Sequence, residues 1–126
     1  AAGPGLSVEI TDPAGGVAPS DLLDAVQELR AAGAEAMQVG PVRVGVESAF
    51  TGGPGAVELD GRPLTLPVTL LAIGDPPTLA AALNIPGGVV DTVERAGGEV
   101  RITQLDRLEV TALRTLRTPQ YARPAG

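Results

Sequence analysis

The stretch that most constrains the fold is residues 68–88, VTLLAIGDPPTLAAALNIPGG. Its first part, Val68–Ile73, is apolar on both faces of an extended chain, with Thr69 as its one polar residue. A strand of this kind lies in the middle of a sheet whose two faces are both covered. The second part predicts a short helix that ends at Asn84, because the Ile-Pro pair that follows disfavours further helix. The stretch therefore predicts a mixed α and β domain with this strand near its centre.

The junction between that strand and helix has two interpretations. Gly74 ends the strand, and Asp75 precedes two prolines that suit a first helical turn, where no backbone N–H is needed. Asp75 is therefore a good N-cap residue, and capping alone accounts for every residue of the junction. The alternative is a ligand-binding turn at Gly74 and Asp75, since helix N-termini that follow a glycine also hold ligands.

The rest of the chain divides into short elements separated by glycine and proline. Residues 1–5 predict a flexible N-terminal segment, and residues 6–12 alternate apolar and polar side chains as a half-buried strand does. Ser20 is the predicted N-cap of the first helix. An Asp-Gly pair at 60–61 predicts a hairpin, and the Gly-rich residues 51–55 predict a mobile loop. The remaining predicted elements are strands at 34–39 and 42–46, a helix at 89–95, and a strand at 99–103 that extends to about 112.

The order of these elements is β-α-β, a β insertion, and then β-α-β. This is the split β-α-β pattern, so the predicted fold class is α+β, a ferredoxin-like α/β plait with an inserted β-hairpin. Residues 1–126 then form a single domain. In this arrangement the first strand and the strand at 68–73 lie centrally, and two helices cover one face of the sheet. Glu9 and Arg101 then face each other across neighbouring strands.

The second face of that sheet needs a covering partner. The strand at 6–11 offers it polar side chains, whereas the strand at 68–73 is apolar on both sides. The candidates for the cover are the hairpin, the C-terminal tail and a second protomer. Thr69, Leu71 and Ile73 are accordingly candidate interaction residues.

The composition excludes several classes of site. The chain has no His and no Cys, which removes imidazole bases, Ser–His pairs and the usual zinc ligands. A formal net charge of −6, with one Tyr, one Phe and no Trp, argues against nucleic acid as a partner. We expect no catalytic residue and no cofactor.

Two sites built from carboxylates alone remain as alternatives. Asp21, Asp24 and Glu28 share a helix face and could hold a hard cation, although the helix dipole also favours acidic residues near an N-terminus. A hydrolase that uses only Asp and Glu pairs is permitted by the 15 acidic residues, but a small domain with two aromatic residues makes a poor sugar-binding cleft.

The end of the chain carries charge of the opposite sign. All acidic residues lie at or before Glu109, while Arg114, Arg117 and Arg123 follow it. Residues 113–126 therefore form a short basic tail, which is either a solvated terminus or a docking arm for an acidic surface. The three arginines are candidate interaction residues for the second interpretation.

Several segments together resemble a known family. Residues 21–40, DLLDAVQELRAAGAEAMQVG, are similar to the helix–strand segment of the family called domain of unknown function 881. The AIGDP at 72–76 and the PGGV at 86–89 resemble that family in the same order. The resemblance implies a bacterial, often actinobacterial, protein with one N-terminal transmembrane helix, a short coiled coil and this domain outside the membrane. It also implies an α/β plait and supplies no catalytic residue, because the family has no established activity.

The residues and the resemblance together predict a non-catalytic interaction domain. It would be the extracytoplasmic part of a membrane-anchored envelope protein. Family members often carry the label of division initiation proteins, which implies a link to cell division or cell-wall synthesis. The expected partner is a second copy of the chain or another envelope or division protein, and contact with the membrane would run only through a helix upstream of Ala1. The alternative is a small-ligand sensor of plait type, with Gly74 and Asp75 as the ligand turn.

Overall fold

The computed structural model describes residues 1–111, which form three helices and two antiparallel sheets. Arg114, Arg117 and Arg123 of the predicted tail lie outside the described residues. The elements in chain order are β1 (Ala2–Thr11), α1 (Pro19–Ala31), β2 (Ala36–Val39), β3 (Val42–Val44), β4 (Phe50–Gly53), β5 (Ala56–Leu59), β6 (Arg62–Pro63), β7 (Val68–Ile73), α2 (Pro76–Leu83), α3 (Val89–Arg95) and β8 (Glu99–Glu109). The predicted α+β class is confirmed.

The larger sheet has five strands in the order β3-β2-β7-β1-β8. Strand β7 lies between β2 and β1, and β1 lies between β7 and β8, so the two strands predicted to be central are central. Glu9 is the register partner of Arg101, as the sequence predicted. The long strand β8 forms one edge of the sheet and the short strand β3 forms the other.

The prediction of a flexible segment at residues 1–5 is wrong, because β1 begins at Ala2. The register with β8 passes from Gly5 opposite Leu105 to Gly3 opposite Leu108, which places one extra residue on β8. This β-bulge leaves Pro4 opposite two residues, and a bulge is one of the places where a strand tolerates proline. The carbonyl of Pro4 still accepts a hydrogen bond from the backbone N–H of Gly74 at 2.9 Å.

One large apolar core fills the space between the sheet and the helices. It contains Leu6, Val8 and Ile10 of β1 together with buried side chains from all three helices. Val57 and Leu59 of the small sheet β4-β5-β6 join the same core. The hairpin therefore packs on the helix side, and it is not the cover of the second face that the sequence allowed it to be.

The small sheet also corrects one loop prediction and confirms one turn. Residues 51–55 are not a mobile loop, since β4 and β5 pair there and turn at Pro54 and Gly55. The Asp-Gly prediction holds: Asp60 and Gly61 both have positive φ, 52° and 83°, as a two-residue hairpin turn of type I′ requires.

Helix α1 begins earlier than the sequence predicted. Its N-cap is Ala18 rather than Ser20, because Pro19 already occupies the first helical turn. The cap is made from inside the helix, where the carboxylate of Asp21 accepts a hydrogen bond from the backbone N–H of Ala18 at 2.8 Å. Asp21 is buried, so this bond also satisfies a carboxylate that has left the solvent.

Candidate functional site: the helix-free face of the large sheet

The candidate site is the face of the large sheet opposite the helices, which we call the helix-free face. Side chains alternate across a strand, and Leu6, Val8 and Ile10 point into the helix-side core. The intervening residues of β1 therefore lie on the helix-free face, together with their register partners on β7 and β8. These residues are Ser7, Glu9, Thr11, Thr69, Leu71, Glu99, Arg101 and Thr103.

One end of the helix-free face is apolar and covered by the chain itself. Ala36, Ile73, Leu108 and Val110 form a second buried cluster, with Leu71 and Leu105 packed against it. Ile73 is only 4% exposed. The end of β8 thus supplies part of the cover that the sequence required. The prediction that Ile73 contacts a partner is wrong, because this cover buries it.

The bulge on β8 explains how Leu108 reaches this face. Ile102 packs against the helix-side core, and a residue six positions later would lie on the same side of a regular strand. The extra residue between Leu105 and Leu108 shifts the alternation by one, so Leu108 lies on the helix-free face instead.

The middle of the face is polar and open. Thr69 and Thr103 are exposed, and Leu71 is half-buried between Gln38 and Ser7, its register partners. The Gln38 side chain donates to the Gly40 carbonyl at 3.0 Å and accepts from the Thr111 backbone N–H at 3.2 Å. Thr69 and Leu71 can contact a partner because part of each side chain is open to solvent, whereas the third candidate on β7, Ile73, is buried.

The other end of the face is charged. Arg101 lies opposite Glu9, and Glu99 lies opposite Thr11. Within residues 1–111 the one ion pair is Arg107–Glu109, at 3.5 Å, so Glu9 and Arg101 are neighbours without being bonded. A shallow depression of about 170 Å³ is lined by Glu9, Thr11, Glu99, Val100 and Arg101.

The predicted ligand turn is occupied by structural contacts. The Asp75 carboxylate accepts from the backbone N–H of Thr78 at 3.2 Å and from its hydroxyl, so Asp75 is the N-cap of α2 as predicted. A Cβ on Gly74 would lie 3.1 Å from Leu79 Cδ1, which shows that the helix packs closely against the turn. The geometry of Gly74 and Asp75 is accounted for by capping and packing.

The acidic residues of α1 do not converge. Asp21 is turned toward Ala18, whereas Asp24 and Glu28 are exposed. No group of three or more Asp or Glu side chains arranged to hold a metal ion occurs within residues 1–111. Among the same residues, no helix is long and apolar enough to cross a membrane.

The sequence predicted the helix-free face, but it did not predict which residues form the charged end and the apolar end of that face. The strand order predicted that Glu9 and Arg101 face each other. It did not predict the depression that these two residues line. The apolar cover at the other end depends on the bulge, which has no local signature in the sequence beyond the proline opposite it.

Comparison with known proteins gives a family and close relatives. The family model described as "Bacterial protein of unknown function (DUF881)" matches residues 1–123. The UPF0749 protein Rv1825 of Mycobacterium tuberculosis is 52% identical over 128 residues, which cover 98% of this chain and 44% of that protein. The UPF0749 protein YlxW of Bacillus subtilis is 38% identical over 72 residues, covering 57% of this chain and 31% of that protein. The chain therefore spans less than half the length of these relatives.

A solved structure has the same fold. The crystal structure of an uncharacterized conserved protein from Mycobacterium tuberculosis superposes with a TM-score of 0.89 at 52% sequence identity. The superposition covers 98% of this chain and 90% of that one.

Proposed function

Since this chain belongs to the DUF881 family of bacterial proteins of unknown function, we propose that it is a non-catalytic interaction domain of a membrane-anchored envelope protein. The domain would lie on the extracytoplasmic side, in a protein linked to cell division or cell-wall synthesis. Its partner would be a second copy or another protein of the envelope or division machinery.

The observation that carries the proposal is the open half of the helix-free face. No helix of residues 1–111 packs there, and Thr69, Thr103 and half-buried Leu71 form its middle. Mixed polar and apolar surfaces of this kind are typical of non-obligate protein interfaces, which are about as apolar as the rest of a protein surface. A binding role therefore fits the face better than a chemical one.

The strand order supports the finer description of the fold. Four strands run in the order β8-β1-β7-β2, with β1 and β7 central and a helical crossover after each. We take this as the ferredoxin-like plait, with β3 added at one edge and the small sheet as the insertion. Plait domains leave one sheet face without helices, which is the face assigned here to a partner.

The composition supports a role without catalysis. The chain carries no His and no Cys, and therefore no imidazole base and no thiol nucleophile. Asp75 and Asp21 are engaged in helix caps. The residues that remain on the helix-free face offer hydrogen bonds, two carboxylates and the guanidinium groups of Arg101 and Arg43, which suit recognition.

The envelope location is supported by the resemblance alone, and it has a direct test. The chain lacks cysteine, and Val46 is 82% exposed, so Val46→Cys in the whole protein introduces a thiol at an open position. A maleimide that does not cross membranes should label this variant in intact cells, and the unsubstituted protein is the control. Labelling that requires cell lysis would contradict an extracytoplasmic domain.

A further inference from the structure

The charged end of the helix-free face contains a polar group that lacks a partner. Thr11 Oγ1 is buried and makes no hydrogen bond within residues 1–111. Buried hydroxyls in proteins are nearly always bonded, because an unsatisfied one has lost its water without replacement. A bound molecule that supplies a hydrogen bond here would therefore be favoured.

Two depressions meet at this residue, and we call them together the Thr11 trough. Both are lined by Thr11 and Glu99. The smaller, charged one adds Glu9, Val100 and Arg101, and the other, of about 400 Å³, adds Asp12, Pro13, Leu66 and Pro67. The trough is thus charged at one end, apolar at the other, and has the unpartnered hydroxyl at the join.

The charge at the polar end favours a cation. Glu9 and Glu99 make no hydrogen bond or ion pair within the described chain, and Arg101 is the one basic residue beside them. Asp12 keeps its negative charge but is not free to bind a ligand, because its carboxylate accepts the backbone N–H groups of Gly16 at 2.8 Å and Val17 at 3.1 Å. Two free carboxylates facing one guanidinium leave this end net acidic.

We propose that the Thr11 trough binds an extended peptide segment of a partner protein, with a Lys or Arg side chain beside Glu9 and Glu99. An adjacent apolar side chain of that segment packs on Leu66 and Pro67, and a peptide group hydrogen-bonds to the Thr11 hydroxyl. Glu99 is the register partner of Thr11 on β8 and is exposed, so rotation of its side chain would open the Thr11 hydroxyl to that group. This inference rests on the proposed function and narrows its interaction surface to one end of the helix-free face.

A peptide selection tests the proposal and needs no identified partner. Random twelve-residue peptides displayed on phage are selected against the whole 126-residue chain, and the affinities of enriched peptides are measured for variants. Enriched peptides should pair Lys or Arg with an apolar residue, and Glu99→Lys should weaken them about tenfold. Asp106→Lys is the matched control, since Asp106 is exposed on the same strand beyond Leu105 and the charge change is identical.

Thr11→Val should weaken peptide binding several-fold while the thermal stability of the domain stays equal or rises. A merely structural role of Thr11 would not produce this combination of weaker binding and unchanged stability.

Other outcomes overturn the proposal. They are a selection with no enrichment, peptides that bind Glu99→Lys and Asp106→Lys equally, or a dimer of this chain that Glu99→Lys dissociates and Asp106→Lys does not. The last result would make a second copy the occupant. If the trough fails while photo-crosslinking from Thr69 still captures a partner, the proposed function stands and only its location is wrong. If both fail, the proposed function fails too.

Discussion

Gly5 lies beneath the side chain of Leu108 on the helix-free face, where a Cβ built on Gly5 would be 2.8 Å from Leu108 Cδ2. The same Cβ would also collide with the backbone carbonyl oxygen of Ala72. The absence of a side chain at Gly5 therefore permits two contacts at once: the close approach of the Ala72 carbonyl on β7 and the packing of Leu108 from β8 over the sheet.

Gly5→Ala should consequently destabilise the domain by about 1–3 kcal/mol, because the new methyl group overpacks a closed site and meets backbone as well as side chain. Chemical denaturation measures the change. Gly53→Ala is the matched control, since Gly53 has no neighbour within 4 Å of the added Cβ and no positive φ. Equal stability of the two variants would contradict the close packing of Ala72 and Leu108 around Gly5.

Ile73→Ala should cost about 2–4 kcal/mol of unfolding free energy, because it removes a buried side chain from the apolar cluster and leaves a cavity. The same denaturation measurement applies. Val46→Ala is a suitable control, since Val46 is 82% exposed and its truncation should change stability by less than about 0.5 kcal/mol. A loss at Ile73 no greater than at Val46 would mean that Ile73 is not covered.

Thr11→Val should leave the domain equally stable or stabilise it by about 1 kcal/mol, because the substitution replaces an unpartnered buried hydroxyl with a methyl group of similar shape. Thermal unfolding followed by circular dichroism gives the sign. Thr92→Val provides the contrast, since the Thr92 hydroxyl donates to the Gly88 carbonyl at 2.8 Å and its removal should destabilise. If Thr11→Val destabilises as much as Thr92→Val, then Thr11 has a partner and the trough loses its central feature.

Asp75→Ala should destabilise by about 1 kcal/mol, the usual cost of removing an N-cap. Asp24→Ala serves as the comparison, because Asp24 is exposed in the first half of α1 and makes no hydrogen bond within the described residues. A neutral Asp75→Ala would indicate that the carboxylate is free for another role and would reopen the ligand turn.

The sequence predicted those elements whose signals are local. Three elements contain their own start or stop signal within a few residues, so the sequence predicts them directly. They are the strand from Val68 to Ile73, the helix that Asp75 and its two prolines begin, and the hairpin with the Asp60-Gly61 turn. The central positions of β1 and β7 then followed from the order of elements. The candidate face was predicted for the same reason.

The sequence predictions differ from the structure where a segment distant in sequence decides the local conformation. Pro4 between two glycines is typical of a flexible segment, and it lies in a strand here only because β8 bulges opposite it. The bulge in turn moves Leu108 to the second sheet face, for which the sequence had proposed the hairpin, the C-terminal tail or a second protomer as the cover, but not the end of β8. The surroundings of the Thr11 hydroxyl are built from three separate segments of the chain. The sequence of β1 alone therefore cannot predict whether this hydroxyl has a hydrogen-bond partner.

We propose that the open half of the helix-free face meets a partner, and site-specific photo-crosslinking in cells is the direct test. A photoreactive residue replaces Thr69 or Thr103 in the full-length protein, and exposed Gln27 on α1 is the control position on the opposite side. We expect crosslinked products from Thr69 and Thr103, identified by mass spectrometry, and their loss when Leu71→Glu is added. Products from Gln27 with none from Thr69 or Thr103 would contradict it.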